Sequence, residues 1–481
     1  MKDNSREIIS SEDEATLQRM GYAQELARRM SGFSNFAISL SIICILAGGI
    51  TSFHVGFCSV GGAAIGIGWP VSCLLSLVVA ATMAQVASAF PTAGGLYHWA
   101  SILGGRGWGW VTGWLNFIGL ITVVAAVNAG AWDFIVGAFA VKASASAKII
   151  GVGLMTLSQA VLNHKGIRLT TRLTDFSGWL ILVVAVALTA AMLCYAGRFD
   201  FARLVTFTNY SGDAGANVLP RVENIGWLFA LGLLLPAYTI TGFDASAHTS
   251  EETLGASLNV PKGIVRSVLV SGIFGWAMLC AIVLAMPDMN AAAAQGGNVF
   301  YWTINNVLPR PLAAVLYSGI GLAQYFCGLA ALTSASRMGF AFARDGGLPA
   351  LLRRVSARSR TPSAAIWAVA GLAVLFIACV PYMTIAAVCV IFLYLSYVLP
   401  AVAGFFAHGR SWTTMGPWQL GRWYRPLAVV SALFCLFLIV VGMQPPNAQA
   451  LWIVGGAVVL LAVVWFAFER NRFRGPPQVP R

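Results

Sequence analysis

From Arg29 to Arg106 the chain carries no formally charged residue, and gaps of the same kind recur along its length. Shorter ones run from Arg106 to Asp133, Asp175 to Arg198, Glu223 to Asp244, Arg266 to Asp288 and Arg310 to Arg337. Longer ones run from Arg360 to Arg410 and from Arg425 to Glu469. A hydrocarbon core takes roughly 20 apolar residues of helix, so each short gap holds one span and each long gap two. The long gaps break at 58–62, which is rich in Gly, Ser and Cys, at Pro381, and at 443–447. A further span at 146–163 requires Lys148 to snorkel toward the headgroups. The pattern predicts an all-α integral membrane protein of 12 transmembrane helices.

Composition and charge placement agree. Hydrophobic residues make up 58% of the 481 positions and charged residues 10%, with mean hydropathy +0.77; a soluble chain of this length needs more polar surface. With the N-terminus inside, 24 of the 30 Lys and Arg fall in inner segments. Only Lys142, Lys148, Arg198, Arg203, Arg221 and Arg310 fall outside. The positive-inside rule then predicts a multi-pass protein of the cell (inner) membrane with both termini cytoplasmic. The net charge of +13 is spread along a membrane face, which points to lipid partners and away from nucleic acid.

Several chemistries lack their residues. Nine cysteines stand singly without a C-x-x-C pair, and five histidines show no H-E-x-x-H pattern, so neither a disulfide framework nor a metal site is expected. The glycine-rich run at 104–109 has no P-loop lysine, which removes ATP-driven pumping. No nucleophile–base set lies at membrane depth, so the chain is not expected to be an enzyme or to need a cofactor. A sensor would carry an output domain, and the tails are short for one. Residues 1–30 are polar, with Glu12, Asp13 and Glu14, and read as a cytoplasmic tail rather than a cleavable signal peptide. Its part from Leu17 to Met30 is expected to form an amphipathic helix on the membrane face. Residues 471–481, rich in Arg and Pro, read as a disordered C-terminal tail.

Two spans carry residues that fit lipid poorly. Ala47, Gly48, Gly49, Ile50 and Thr51 lie in the first; Tyr238, Thr239, Ile240, Thr241, Gly242, Phe243 and Asp244 lie in the sixth. Such glycines either let helices pack closely or break them, freeing N–H groups and carbonyls to bind carboxylate and ammonium. Asp244 is either a functional ionisable group at membrane depth or the N-cap of a half-helix starting near Ala245. His248, Glu251 and Glu252 follow at helical spacings. They read either as a proton relay or inner gate, or as a solvated helix end pairing with Lys262 or Arg266. Asp133 is expected in the headgroup region. The long connection after the fifth span suggests an internal five-plus-five repeat: a shift of 192 carries Gly48 to Ile240, two residues from Gly242.

Four motifs carry a resemblance. They are Gly21-Tyr22-Ala23-Gln24-Glu25-Leu26; Phe90-Pro91-Thr92-Ala93-Gly94-Gly95-Leu96-Tyr97-His98-Trp99; Gly242-Phe243-Asp244-Ala245 with His248, Glu251 and Glu252; and Ser336-Arg337 with Phe342-Ala343-Arg344-Asp345-Gly346-Gly347-Leu348-Pro349. The chain resembles the amino acid–polyamine–organocation transporters, and within them the group that includes fungal GABA and choline permeases. The resemblance implies a leucine-transporter-type fold in a transporter domain at 31–470. Its inverted repeats would cover about 31–197 and 224–408, with extra helices at about 425–469. It implies a substrate carboxylate on N–H groups around Gly48–Thr51, an amine on carbonyls near Ala47 and Ile240–Thr241, and Phe243 as a gate. It makes Asp244 and His248 candidates for proton coupling. Helix five lacks the lysine of some proton-coupled relatives, while Thr333 and Ser334 offer hydroxyls for a sodium site. The implied activity is secondary transport of amino acids, GABA-like compounds or related amines by proton symport or exchange, with a choline or polyamine carrier as the alternative.

Overall fold

A computed structural model describes residues 2–197 and 199–477, apart from the side chains of 2–7, 382 and 383. Arg198, one of the six cations expected outside, and residues 478–481 of the expected C-terminal tail lie outside the described residues. The described chain is helical, and its only β-pairings are isolated bridges at Met30 with Thr253 and His408 with Trp412.

Ten helices are long and apolar enough to cross a membrane. Two more apolar helices, Ile225–Thr239 and Ser363–Cys379, are shorter. Breaks between neighbours fall where the backbone demands them. Gly61 turns with φ +71° after Phe53–Val60; Pro381 separates Ser363–Cys379 from Tyr382–Ala407; residues 443–447 separate Tyr424–Gly442 from Ala448–Val464.

Burial sorts the helices into a centre and a rim. In Gly32–Thr51 83% of the apolar window is buried by protein, against 22% in Ala145–His164 and 11% in Ala448–Arg472. The first is therefore a central element, and the other two present their Leu, Val and Phe side chains outward. Leu154, Trp452, Phe466 and Phe468 are exposed apolar groups that suit a hydrocarbon solvent and would be liabilities in water. Around the centre, Arg106–Ala138 packs along Tyr382–Ala407 and Arg310–Arg344, and Ala256–Ala285 packs on Gly32–Ile43.

The N-terminal segment departs from expectation. Its helix is Lys2–Arg19 and ends before Gly21, whose φ is +84°; residues 20–30 are not an amphipathic helix. Leu17, Met20, Tyr22, Leu26 and Met30 are buried against protein rather than laid on lipid. The chain is held extended because the Arg29 and Met30 N–H groups both donate to the Glu252 carbonyl at 2.8 Å. At the other terminus, Phe473 is buried among Tyr97, Phe342 and Trp465 and anchors the tail there, while Asn471, Arg472, Arg474 and Pro477 are exposed.

Candidate functional site

The first central helix is broken. Ser31 caps Gly32–Ile43 by accepting from the Ser34 N–H at 3.1 Å, and the helix stops at Cys44, whose φ of 26° cannot continue it. The chain unwinds over 44–47 and resumes as Gly48–Thr51 and Phe53–Val60. The interruption expected at Gly48–Thr51 thus lies just before it. Gly48 is required for another reason: a Cβ there would sit 2.7 Å from the Thr239 Cα of the second broken helix. Because Gly49 and Ile50 open a new helix, their N–H groups have no acceptor among the described residues. The Ala47 carbonyl, expected to meet an amine, already accepts from the Thr51 N–H at 2.9 Å and the Thr51 hydroxyl at 2.8 Å.

Residues Ile225–Gly232 and Leu234–Thr239 lead into a second break at 240–244. Gly242 makes the turn with φ +81° and donates its N–H to the Tyr397 hydroxyl at 3.1 Å. The helix resumes as Ala245–His248. The carbonyls of Ile240 and Thr241 accept no hydrogen bond among the described residues. Unpaired acceptors on one break and unpaired donors on the other are costly in a low-dielectric interior unless a ligand completes them.

Between the breaks lies a cavity of about 90 Å³. Of the residues singled out in the sequence, Ala47, Gly48, Thr51 and Thr241 line it, and Gly49, Ile50, Ile240, Gly242 and Phe243 do not. Val123, Ala126 and Gly130 of Arg106–Ala138, Gln324 and Cys327 of Arg310–Arg344, and Cys389 of Tyr382–Ala407 close the other sides. Gln324 was missed in the sequence, although a lone amide in an otherwise apolar span is itself a signal. Phe243 is fully buried against Tyr397, with ring centroids 5.2 Å apart.

Asp244 does not cap the helix it precedes. Its carboxylate accepts from the Tyr397 hydroxyl at 2.7 Å and from the Asn116 amide at 3.2 Å, and it faces His248 Nε2 at 3.2 Å. His248 Nδ1 in turn meets the Ala93 carbonyl at 3.1 Å. A carbonyl only accepts, so Nδ1 carries a hydrogen. The Nε2–Oδ2 contact then needs a second proton, on one partner or the other.

Farther along, the two glutamates are buried rather than solvated, and their partners are not Lys262 or Arg266. Glu251 pairs with Arg344 at 2.9 and 3.1 Å and accepts from the Ala93 N–H at 3.1 Å. Glu252 pairs with Arg337 at 2.9 and 3.1 Å, both side chains fully buried. The N-terminal segment and the loop helix Leu96–Gly104 join this layer, because the Tyr22 and Tyr97 hydroxyls donate to Asp345 at 2.7 and 2.9 Å. Burial raises the Asp345 carboxyl above its ordinary value, with Arg344 opposing the shift. Asp13 takes the Gly255 and Ala256 N–H groups at 2.7 and 3.0 Å, which caps Ala256–Ala285.

Other candidates fall elsewhere. The single Thr333 hydroxyl hydrogen is shared between the Asn163 Oδ1 and the Leu329 carbonyl, each 2.8 Å away, and neither Thr333 nor Ser334 lines the cavity. Asp133 is partly exposed and pairs with Lys148 at 2.6 Å, which gives that lysine a counter-charge as well as a route to the headgroups.

A buried, charge-poor cavity between two interrupted helices of a multi-pass membrane protein defines a solute carrier. Sequence comparison is consistent with this: the amino acid permease profile matches residues 30–468, and the chain belongs to that family, within the amino acid–polyamine–organocation superfamily. It is 30% identical to amino-acid permease BAT1 of Arabidopsis thaliana over 98% of both chains. It is 31% identical to the rice homolog of BAT1, covering 96% of this chain and 95% of that one. It is also 28% identical to the GABA-specific permease of Saccharomyces cerevisiae, over 97% of this chain and 86% of the relative. The protein is a transporter of amino acids and not an enzyme.

Proposed function

We propose that the chain carries small zwitterionic amino acids, GABA-like compounds among them, by alternating access across the cell (inner) membrane, with both termini cytoplasmic. One observation carries this reading: unpaired donors at Gly49 and Ile50 belong to one break and unpaired acceptors at Ile240 and Thr241 to the other, with the cavity between the breaks and Thr241 in its lining. A carboxylate suits the first pair and an ammonium the second. The likeness to a GABA-specific permease supports the same substrate class. A choline or polyamine carrier would favour an aromatic cage together with an anionic group such as Asp244. No Asp or Glu lines the cavity, and the Asp244 carboxylate is spent on Tyr397, Asn116 and His248.

The architecture is read as twelve spans, the ten long helices plus Ile225–Thr239 and Ser363–Cys379. Interruptions in the first and sixth suit two inverted sets of five with two helices added, in a domain of about 31–470. Coupling is assigned to protons, by symport or exchange, through the proton shared by Asp244 and His248. Ala93 ties His248 and Glu251 to the loop before Leu96–Gly104, so opening the inner layer would release that histidine. Sodium is left to the alternative reading: the Thr333 and Ser334 hydroxyls, which keep lone pairs for a cation, do not line the cavity. Uptake into liposomes of labelled GABA, alanine, arginine, choline and putrescine, with and without proton and sodium gradients, tests the reading. Alanine or GABA driven by a proton gradient is expected; uptake of choline or putrescine alone overturns it.

A further inference from the structure

The cavity's lining has few side chains left to recognise anything. The hydroxyls of Thr51 and Ser52 are turned back onto the Ala47 and Gly48 carbonyls of their own helix. The Tyr238 hydroxyl accepts from Asn447 at 2.9 Å. Gln324 differs. It is 1% exposed, lines the cavity, and donates Nε2 to the Leu46 carbonyl in the unwound segment at 3.0 Å. That bond fixes the amide's orientation, because only the nitrogen can pair with a carbonyl. Its Oε1 is then left buried without a donor. A buried acceptor of this kind costs free energy unless the functional state supplies its partner.

We infer that Gln324 is a specificity-determining contact of this site, whose Oε1 accepts a hydrogen bond from the ammonium group of a small, net-neutral amino acid. The inference rests on the transport reading above and narrows its substrate. No Asp, Glu, Lys or Arg lines the cavity, so a side chain bearing its own charge would be desolvated without a counter-ion. A cavity of about 90 Å³ has room for roughly half a dozen waters, which suits a solute of alanine or GABA size. The amide adds what the backbone acceptors lack. It belongs to the Arg310–Arg344 helix, so it ties the solute's amine to an element outside both broken helices. A neutral acceptor gains little from a methylated cation, which offers it no N–H to accept and no counter-charge to satisfy.

The test pairs alanine and GABA each with its N-trimethyl derivative, which keeps the charges and removes the N–H donors. Wild-type protein in liposomes and a Gln324→Leu variant, which holds the volume without the acceptor, are compared by inhibition of labelled alanine or GABA uptake. In wild type the primary amine should bind more tightly than its trimethyl form. In Gln324→Leu its KM should rise roughly 10- to 100-fold while the trimethyl form's affinity holds, so the ratio collapses. Equal weakening of both ligands, or an unchanged ratio, overturns the assignment and leaves Gln324 as a brace for Leu46. If Gln324→Leu does not fold, Gln324→Asn, which keeps an amide one carbon shorter, is read by the same ratio, and an unchanged ratio there overturns the assignment too. Wild type that takes up no amino acid at all would instead sink the transport reading.

Discussion

Asp244 shows how far a single side chain can be understood before its partners are known. An acid inside a span marks itself, because lipid tolerates it only when it is paired. Its partners could not be foreseen: Tyr397 and Asn116 lie far away in sequence and belong to different helices, and nothing in their spacing announces the meeting. The capping alternative fails because the carboxylate turns toward those helices instead of back to the Ser246 and Ala247 N–H groups. Gln324 escaped notice because a neutral amide leaves no gap in a charge pattern. For the proton assignment, Asp244→Asn keeps size and polarity but cannot hold the shared proton. Amino acid affinity should persist while the pH dependence of uptake between pH 5 and 8 flattens. An unaltered pH profile would contradict the role given to Asp244.

At the scale of elements, the broken helices were foreshadowed by their glycines, but the two glycine sites do different work. Gly242 sits in the break and turns it with a positive φ, whereas Gly48 follows its break and admits Thr239 to close packing. Sequence alone treats both as permissive residues. Gly48→Ala should force the two helices apart, at about 1–3 kcal/mol for an overpacked contact. A lowered melting temperature in detergent and lost uptake are expected; full activity would show that the approach is not needed. The N-terminal segment was misread for a related reason. Its apolar spacing suited a helix on lipid, but the Glu252 carbonyl and the buried faces of neighbouring helices hold it extended. Periodicity cannot see such a partner.

For the whole molecule, charge-free gaps located the helices well, since a hydrocarbon solvent excludes charge and leaves a simple record. The inner layer was less legible. Glu251 and Glu252 read either as a relay or inner gate or as a solvated helix end, and Arg344 and Arg337, from a helix many residues later, enclose them. Removing one partner of a buried pair strands the other at a cost of about 3–5 kcal/mol, whereas removing both is far milder. Arg337→Met should therefore lower the melting temperature markedly, and adding Glu252→Met should restore much of the loss. Equal or additive losses would show the pair to be weakly coupled.

The central claim is that the cavity between the two breaks is where an amino acid sits during transport. Ala126 lines that cavity from Arg106–Ala138 and is away from the Asp244 cluster and the inner ion pairs. Counterflow of labelled alanine and GABA in liposomes, compared between wild type and Ala126→Phe, tests the claim most directly. The expected result is counterflow by wild type and none by a folded Ala126→Phe protein whose cavity is filled. Undiminished counterflow with the cavity filled would place the transport site elsewhere.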